Sequence, residues 1–524
     1  MKTFKIFALG AVALLGTLLT ASAKDLVILH TNDTHSLIEP GADGMGGVLQ
    51  RKAIIDSVRA AEKNVVLVDA GDVVQGTLYF KYFKGDVEYP LMNMMDYDVR
   101  ILGNHEFDNG LDELAKYYKD AKGARLSANY DFSKTPAKGI FEPYTIKKID
   151  GKKIGFIGIN IDPASLISKQ NYEGLVYRDA IEEANKTAAL LKKKGCDLVV
   201  AVTHIGYVKE NEKPTDIELA EASKDIDIII GGHSHTLLMP GDESKPHLFP
   251  NSDGRPVLVV QTGKSGRYLG YIKVDLDKLK SETPADYDYQ LIPVTDRFPE
   301  SAFDKRIVSF LEPYKARVDS VNNRVIARSV YDLSNRERTG GYPNWIADFA
   351  SWYGDVVTDS LRSAGVDIAP VDFAIMNVGG IRASMPKGDV TEGQILSTFP
   401  FANHMVITRV KGSDIKDALS VAARKGGEGV SKEVRVVSDA DGKLREVYID
   451  MEPLDPEREY NVMTIDYVAQ GNDDLTGFGR GELLWSDPQE MSAQVMRYVN
   501  LLTEMGLPIA PDLAPRFVTA VQIP

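Results

Sequence analysis

Five of the eight histidines fall in three short peptides that close apolar runs and also carry Asp, Asn and Gly. These are LVILHTNDTH, with Asp33 and His35; LGNHEFD, with Asn104, His105 and Asp108; and IIIGGHSH, with His233 and His235. The run DLVVAVTHIG adds His204, and VVLVDAGD adds Asp72. Imidazole, carboxylate and amide oxygen with no matching thiol suit divalent cations such as zinc or manganese. Asp72 is the natural carboxylate to bridge two of them, and two close cations can hold a phosphate. The chemistry predicted is metal-assisted phosphoester hydrolysis. His105 directly follows Asn104 and precedes Asp108 by three residues. A histidine beside the metals and oriented by a carboxylate suits the general acid that protonates a leaving alkoxide. On an extended chain, residues i and i+2 point to one side, the geometry expected for Asp33/His35 and His233/His235. His30 alternates away from His35, and neither it nor His247 is given a role. Glu106 is read as a support for its loop.

Such residues need elements that end together. From 25 to about 274 the apolar runs DLVILH, NVVLVDA, YDVRILG, KKIGFIGI, CDLVVAV, DIDIIIGG, PVLVVQT and YLGYIKVDL read as strands. GGVLQRKAIIDSVRAAEK and YRDAIEEANKTAALLKKKG have helical spacing. Several of the strands are continuously apolar, as in sheets buried on both faces of a layered α/β domain. The motifs then sit at strand ends, the usual place for ligands. Residues 278–299 read as a polar connector. Phe303, Ile307, Phe310, Leu311 and Val318 follow on one helix face, predicting a joining helix. A second unit begins near 322 with a helix through TGGYPNWIADFASWYGDVVTDSLRSAG. Strands follow in DFAIMNV, NHMVITRV, EVRVV, EVYID and EYNVMTIDY.

A length of 524 residues implies two or three domains. MKTFK is basic, IFALGAVALLGTLLT is apolar, and Ala21-Ser22-Ala23 offers small residues, which predicts a signal peptide over 1–23. The apolar run falls short of the roughly 20 residues a membrane span requires. A periplasmic or secreted protein with no membrane span is expected. Cys196 is the single cysteine, which excludes an internal disulfide and reads as a small buried hydrophobe. The formal net charge of −14 becomes about −16 when Lys2 and Lys5 leave with the leader. That charge disfavours a nucleic acid polymer as ligand. An anionic substrate must be drawn in locally by metals and a few arginines.

Taken together, HTNDTH, GD, GNHEFD, THIG and GGHSH closely resemble the calcineurin-like metallophosphoesterases, and among them the 5'-nucleotidase family. The resemblance implies one metal on Asp33, His35, Asp72 and His235. It implies a second on Asp72, Asn104, His204 and His233, with His105 and Asp108 as the catalytic dyad. The implied cofactors are thus two divalent ions, zinc, manganese or similar. The implied fold is α/β: a four-layer α/β/β/α metallophosphoesterase sandwich over 24–295 and a C-terminal α+β nucleotide-binding domain over 322–524. A linker helix over 296–321 joins them.

The resemblance continues into the second unit. MNVGGIR matches the family motif Asn-x-Gly-Gly-x-Arg. Its Gly379 permits close backbone approach, while Asn377 and Arg382 offer donors to phosphate or ribose. STFPFANHMV resembles the segment whose Phe stacks on the base, placing Phe401 there with Asn403 alongside. DYVAQGND resembles the segment with the second stacking aromatic and a ribose-binding acid, which become Tyr467 and Asp473. Stacking on both faces predicts modest base selectivity. There are departures. Gly471-Asn472-Asp473-Asp474 stands where the family commonly has Gly-Gly-Asp-Gly, Tyr467 replaces the usual Phe, and the helix opens as Tyr342-Pro343-Asn344. Spacing to Asn344 makes Arg336, rather than Arg338, the expected phosphate-binding arginine ahead of that helix.

The expected reaction is removal of the 5'-phosphate from nucleotides by metal-hydroxide attack, giving nucleoside and phosphate. A UDP-sugar pyrophosphatase or a 2',3'-cyclic nucleotide phosphodiesterase on the same scaffold is the alternative. A non-catalytic nucleotide-binding protein is disfavoured by the intact ligand set and dyad. The partner expected is a nucleotide or nucleotide sugar.

Overall fold

Leu26 and Ile28 face one way and Val27 and Leu29 the other, and all four are fully buried. DLVILH is continuously apolar because both faces of its sheet are covered. The computed structural model describes residues 25–520 apart from 42, 165, 209–212 and 281–286; the leader expected over 1–23 lies outside the described residues.

The strand Asp25–Thr31 belongs to a six-stranded sheet ordered Tyr287–Pro293, Tyr268–Asp275, Asp25–Thr31, Val65–Asp69, Val99–Arg100, Ala124–Arg125. The last four run parallel, and Tyr268–Asp275 is antiparallel to both of its neighbours. A second six-stranded sheet runs Leu248–Pro250, Pro256–Val260, Ile228–Ile230, Leu198–His204, Lys152–Asn160, Tyr144–Ile149, with its four central strands parallel. Leu26, Ile28 and Val68 meet Phe156, Val200 and Ile230 between the sheets. Outside the first sheet, Val27 and Leu29 pack with Ile54 and Ile55 of the helix Val48–Ala61. Outside the second, Val199 and Ala201 pack with Ala184, Ala188 and Leu191 of the helix Ala180–Lys193. The layers are therefore α/β/β/α, and each such Val, Leu or Ile contributes about 1.5–3 kcal/mol by leaving water. Cys196 is buried in the last of these layers.

One expectation needs correction. The stretch read as a connector over 278–299 contains the strand Tyr287–Pro293, paired antiparallel to Tyr268–Asp275. Tyr287, Tyr289 and Leu291 turn into the inter-sheet core while Asp288 and Gln290 face out. The polar half of that alternation hid it. The helix Lys305–Asn322 follows, with Ile307, Leu311 and Val318 packed on the first unit.

In the second unit a five-stranded sheet runs Gly429–Val430, Phe373–Met376, Glu459–Ile465, His404–Lys411, Glu482–Glu490. The helix Gly341–Ser363 packs on it through Tyr342, Ile346, Phe349 and Ala350. The strand Glu459–Ile465 stops before Tyr467, which lies instead on the short helix Asp466–Ala469. Among the described residues no helix is long and apolar enough to cross a membrane.

Candidate active site

The parallel strands of both sheets end on one edge, and the predicted ligands stand just past those ends. Extended alternation, however, does not pair them. Asp33, His35, Asp72, His233 and His235 all have positive φ, between 46° and 77°. Non-glycine residues avoid that region unless the surroundings impose it, at a cost of about 1–3 kcal/mol each. The i, i+2 pairs converge because tight left-handed turns fold the chain back, with Asp33 N–H donating to Gly71 O at 2.9 Å and His35 N–H to Asp72 O at 3.0 Å. His204, by contrast, is the last residue of its strand. His30 takes no part: it is buried beneath Gly270, stacks on Tyr289, and burial lowers its pKa to about 3.

Donor atoms of Asp33, His35, Asp72 and His235 all lie within 4.8 Å of one another. Beside them, His204 Nε2 is 3.1 Å from Asp72 Oδ2, and His233 Nδ1 is 2.9 Å from Asn104 Oδ1. His204 Nδ1 faces Ala70 O at 2.7 Å, so in the neutral ring its lone pair points from Nε2 at the carboxylate. Two buried lone pairs facing each other call for a proton or a cation between them. Burial raises the Asp33 carboxyl to about 7, with Asp72 adding to the rise and His204 opposing it. Burial opposes charge on the His204 ring, but Asp72 and then Asp33 outweigh it and raise its pKa to about 10; the cluster thus calls for positive charge, and its O and N donors fit divalent metal.

Supporting residues hold it. Asn32 Nδ2 donates to Asp33 Oδ2 at 2.6 Å, while its Oδ1 accepts from Thr262 N–H at 2.8 Å. The buried Glu106 carboxylate accepts from the backbone N–H groups of Asp72, Val73 and Gly103 at 3.0, 2.9 and 2.5 Å, so it does support its loop. Gly103 is needed for close approach, since a Cβ there would overlap Asp72 Oδ1 and lie 2.6 Å from the Asp72 backbone N. Gly103→Ala is expected to lose metal and to lower stability by roughly 1–3 kcal/mol, the cost of overpacking. Metal analysis and a thermal melt test this, and wild-type values in both would refute it.

His105 N–H donates to Asp72 Oδ1 at 2.8 Å, and its ring Nδ1 is 2.9 Å from Asp108 Oδ2. Burial opposes charge on that ring, but Asp108 and Asp72 outweigh it and raise its pKa above the ordinary histidine value. Asp108 thereby fixes Nδ1 as a donor and leaves Nε2 for a ligand.

A cavity of about 730 Å³ joins this cluster to the second unit. Asp72, Asn104, His105, Asp108, His233 and His235 line one side; Asn377, Gly379, Arg382, Phe401, Asn403, Tyr467 and Asp473 line the other. The Phe401 ring lies against His105 at 5.9 Å, and the Arg382 guanidinium sits 5.8 Å over it. Asp473, itself at φ 55°, accepts from Asn377 Nδ2 at 2.7 Å and from Tyr467 Oη at 3.1 Å. Asn377 Oδ1 is buried without a partner among the described residues. Arg336 lines a neighbouring cavity instead. Sequence reasoning missed Gln75, whose Oε1 accepts from Arg382 at 3.3 Å across the units, and Asn32. Asn32 sat inside the HTNDTH motif, whereas no local signal marked Gln75.

Residues 26–237 match the calcineurin-like phosphoesterases. Fold and site together define a metal-dependent phosphoester hydrolase of that class. Residues 322–480 match the 5'-nucleotidase C-terminal domain. The 5'-nucleotidase precursor of Thermus thermophilus is 31% identical, with a TM-score of 0.79 over 95% of this chain and 100% of that one. The chain belongs to the 5'-nucleotidase family. A snake venom 5'-nucleotidase of Naja atra is 29% identical over 86% of this chain and 90% of its own length. The Bacillus subtilis trifunctional nucleotide phosphoesterase protein YfkN is 28% identical over 87% of this chain, which spans only 32% of that protein.

Proposed function

We propose that the chain, exported through its N-terminal leader, removes the 5'-phosphate of nucleoside monophosphates, with 24–295 supplying the metals, 296–321 the link and 322–524 the nucleoside pocket. The observation that carries this reading is the shared cavity, which brings Phe401, Tyr467 and Asp473 of one unit to His105 and the ligand cluster of the other. Two divalent cations, one on Asp33, His35, Asp72 and His235 and one on Asp72, Asn104, His204 and His233, would lower the pKa of a water and offset phosphoryl charge. Asp108 keeps His105 oriented, so Nε2 delivers its proton to the departing 5'-oxygen. Arg382 and the Asn104 amide donate where negative charge builds on the phosphoryl oxygens. Phe401 and Tyr467 take the two faces of the base, with Asn403 beside them. Asp473 still has free lone pairs for ribose hydroxyls, and Asn377 Oδ1 offers another acceptor.

The test is phosphate release by the protein from Lys24 onward with manganese or zinc, on AMP, UMP, ADP, UDP-glucose and 2',3'-cyclic AMP. Fast release from AMP and UMP is expected; cleavage of only the cyclic or sugar nucleotide would overturn the reading. Tyr467→Ala is expected to raise KM for AMP about tenfold, the order of one lost base stack. An unchanged KM would remove Tyr467 from the base pocket.

A further inference from the structure

Tyr467 carries a hydroxyl where the family usually has phenylalanine, and stacking on a base has no use for it. The residue lies on the short helix Asp466–Ala469 and, with Asp473, lines the nucleotide cavity. Two acceptors stand near its Oη: Asp473 Oδ1 at 3.1 Å, and Leu166 O of the first unit at 3.4 Å. A phenol has one proton to give. The nearer acceptor is also the charged one, and a bond to an ionised acceptor is about twice as strong as a neutral one, so Asp473 takes the proton.

The backbone of Asp473 is fixed as well. Its O accepts from Lys425 Nζ at 2.9 Å, and the same ammonium reaches Asp474 Oδ2 at 2.9 Å. Asn472 Nδ2 donates to Tyr467 O at 2.9 Å and ties this turn to the short helix. The carboxylate itself can still turn about the Cβ–Cγ bond. Asn377 Nδ2 anchors Oδ2 at 2.7 Å, and a single anchor lets the group swing. The Tyr467 donor on Oδ1 is a second anchor and fixes the plane. An ionised carboxylate has about four lone-pair sites, two on each oxygen. Asn377 occupies one on Oδ2 and Tyr467 one on Oδ1, which leaves one on each oxygen, side by side in one plane. That pattern fits two neighbouring hydroxyls, each donating to its own oxygen. Ribose has such a vicinal pair at its 2' and 3' carbons, and a deoxyribose offers only one of the two donors.

We propose that the Tyr467 hydroxyl sets sugar specificity: by fixing the plane of the Asp473 carboxylate, it makes the protein select ribonucleosides over deoxyribonucleosides. Tyr467 is in this respect a positioning residue, working through Asp473 and not on the reacting atoms. Its ring serves the base, and its hydroxyl serves the sugar. The placing of ribose at Asp473 rests on the nucleotidase reading; the selectivity is measured without turnover.

The experiment is calorimetric binding of adenosine, 2'-deoxyadenosine and 3'-deoxyadenosine to the full chain, as wild type, Tyr467→Phe, Asp473→Asn and the double variant. The wild type is expected to bind adenosine at least about tenfold tighter than either deoxynucleoside, the scale of one hydrogen bond to a charged group. Tyr467→Phe keeps the ring and is expected to narrow that ratio to about threefold or less. In the Asp473→Asn background the same change is expected to move the ratio no further, because a group that works through Asp473 has nothing left to position. A thermal melt checks folding, and a general loosening of the pocket would weaken all three nucleosides alike and leave the ratio in place. A ratio unchanged or widened in Tyr467→Phe overturns the proposal. So does a wild type that binds the three equally or binds none, or a narrowing of equal size with and without the Asp473 carboxylate. Phosphate release from AMP is read separately. Narrowing without AMP cleavage sinks the nucleotidase reading and keeps the proposal, and AMP cleavage with an unchanged ratio does the reverse.

Discussion

His105→Ala lowers kcat for AMP about 10³-fold, leaves KM within about threefold and leaves metal content unchanged; this is the expected result for the loss of one positioned general acid. At 1.36 kcal/mol per decade, the loss is about 4 kcal/mol of barrier. Metal retention follows from the geometry. It is the backbone N–H of His105, not its ring, that donates to Asp72 Oδ1 at 2.8 Å, and an alanine keeps that donor. The ring serves only through Nε2, because Nδ1 is held by Asp108 at 2.9 Å. A phosphate ester whose leaving oxygen is already stable as an anion, such as p-nitrophenyl phosphate, needs no proton. For that substrate the loss in the variant is expected to shrink to about tenfold or less. Equal losses on both substrates would reassign His105 to substrate positioning, and a fall in bound metal would reassign it to the cluster.

The cluster of Asp33, His35, Asp72 and His235 was legible because hydrolysis at a metal needs particular atoms in particular peptides, and His and Asp are conspicuous at the ends of apolar runs. The layers were legible for a similar reason. Leu26 to Leu29 are all apolar only because sheet and helix cover opposite faces. What the sequence hid was the means of convergence. Alternation along a strand was the wrong device for Asp33/His35 and His233/His235, since left-handed φ at all four is imposed by tertiary contacts such as Ser265 N–H to Asp33 O and by the Asn32–Thr262 bridge. The strand Tyr287–Pro293 was hidden by its own outward-facing Asp288 and Gln290. Gln75 was hidden differently: its amide oxygen meets Arg382 of a distant segment, and neither spacing nor period marks that.

Asp72→Asn is expected to empty the whole cluster, whereas His204→Ala empties half of it. Asp72 makes the closer approach to the second ligand group while still reaching the first: its Oδ2 lies 3.1 Å from His204 Nε2 and 4.0 Å from His35 Nε2, whereas Asp33 Oδ1 is 4.0 Å from His204 Nε2. Asparagine keeps the volume and an oxygen to accept the His105 N–H, so the loop need not move. The change removes the charge and turns an amide donor, or an uncharged oxygen, toward the imidazoles. On the two-cation reading proposed above, both ions would lose their shared anion, and turnover would fall by at least about 10³-fold, the scale of a strong electrostatic contribution. His204→Ala leaves Asp33, His35, Asp72 and His235 in place, so that variant should retain close to half the wild-type metal. Thermal melts provide a second readout. A ligand at 100 times its Kd stabilises the folded chain by about 2.7 kcal/mol, so the wild-type midpoint rises with added manganese. The Asp72→Asn midpoint should stay flat over the same range, and the His204→Ala midpoint should rise by less than the wild type. If Asp72→Asn and His204→Ala lose equal metal, the two groups fill cooperatively; if Asp72→Asn keeps its metal, Asp72 does not bridge.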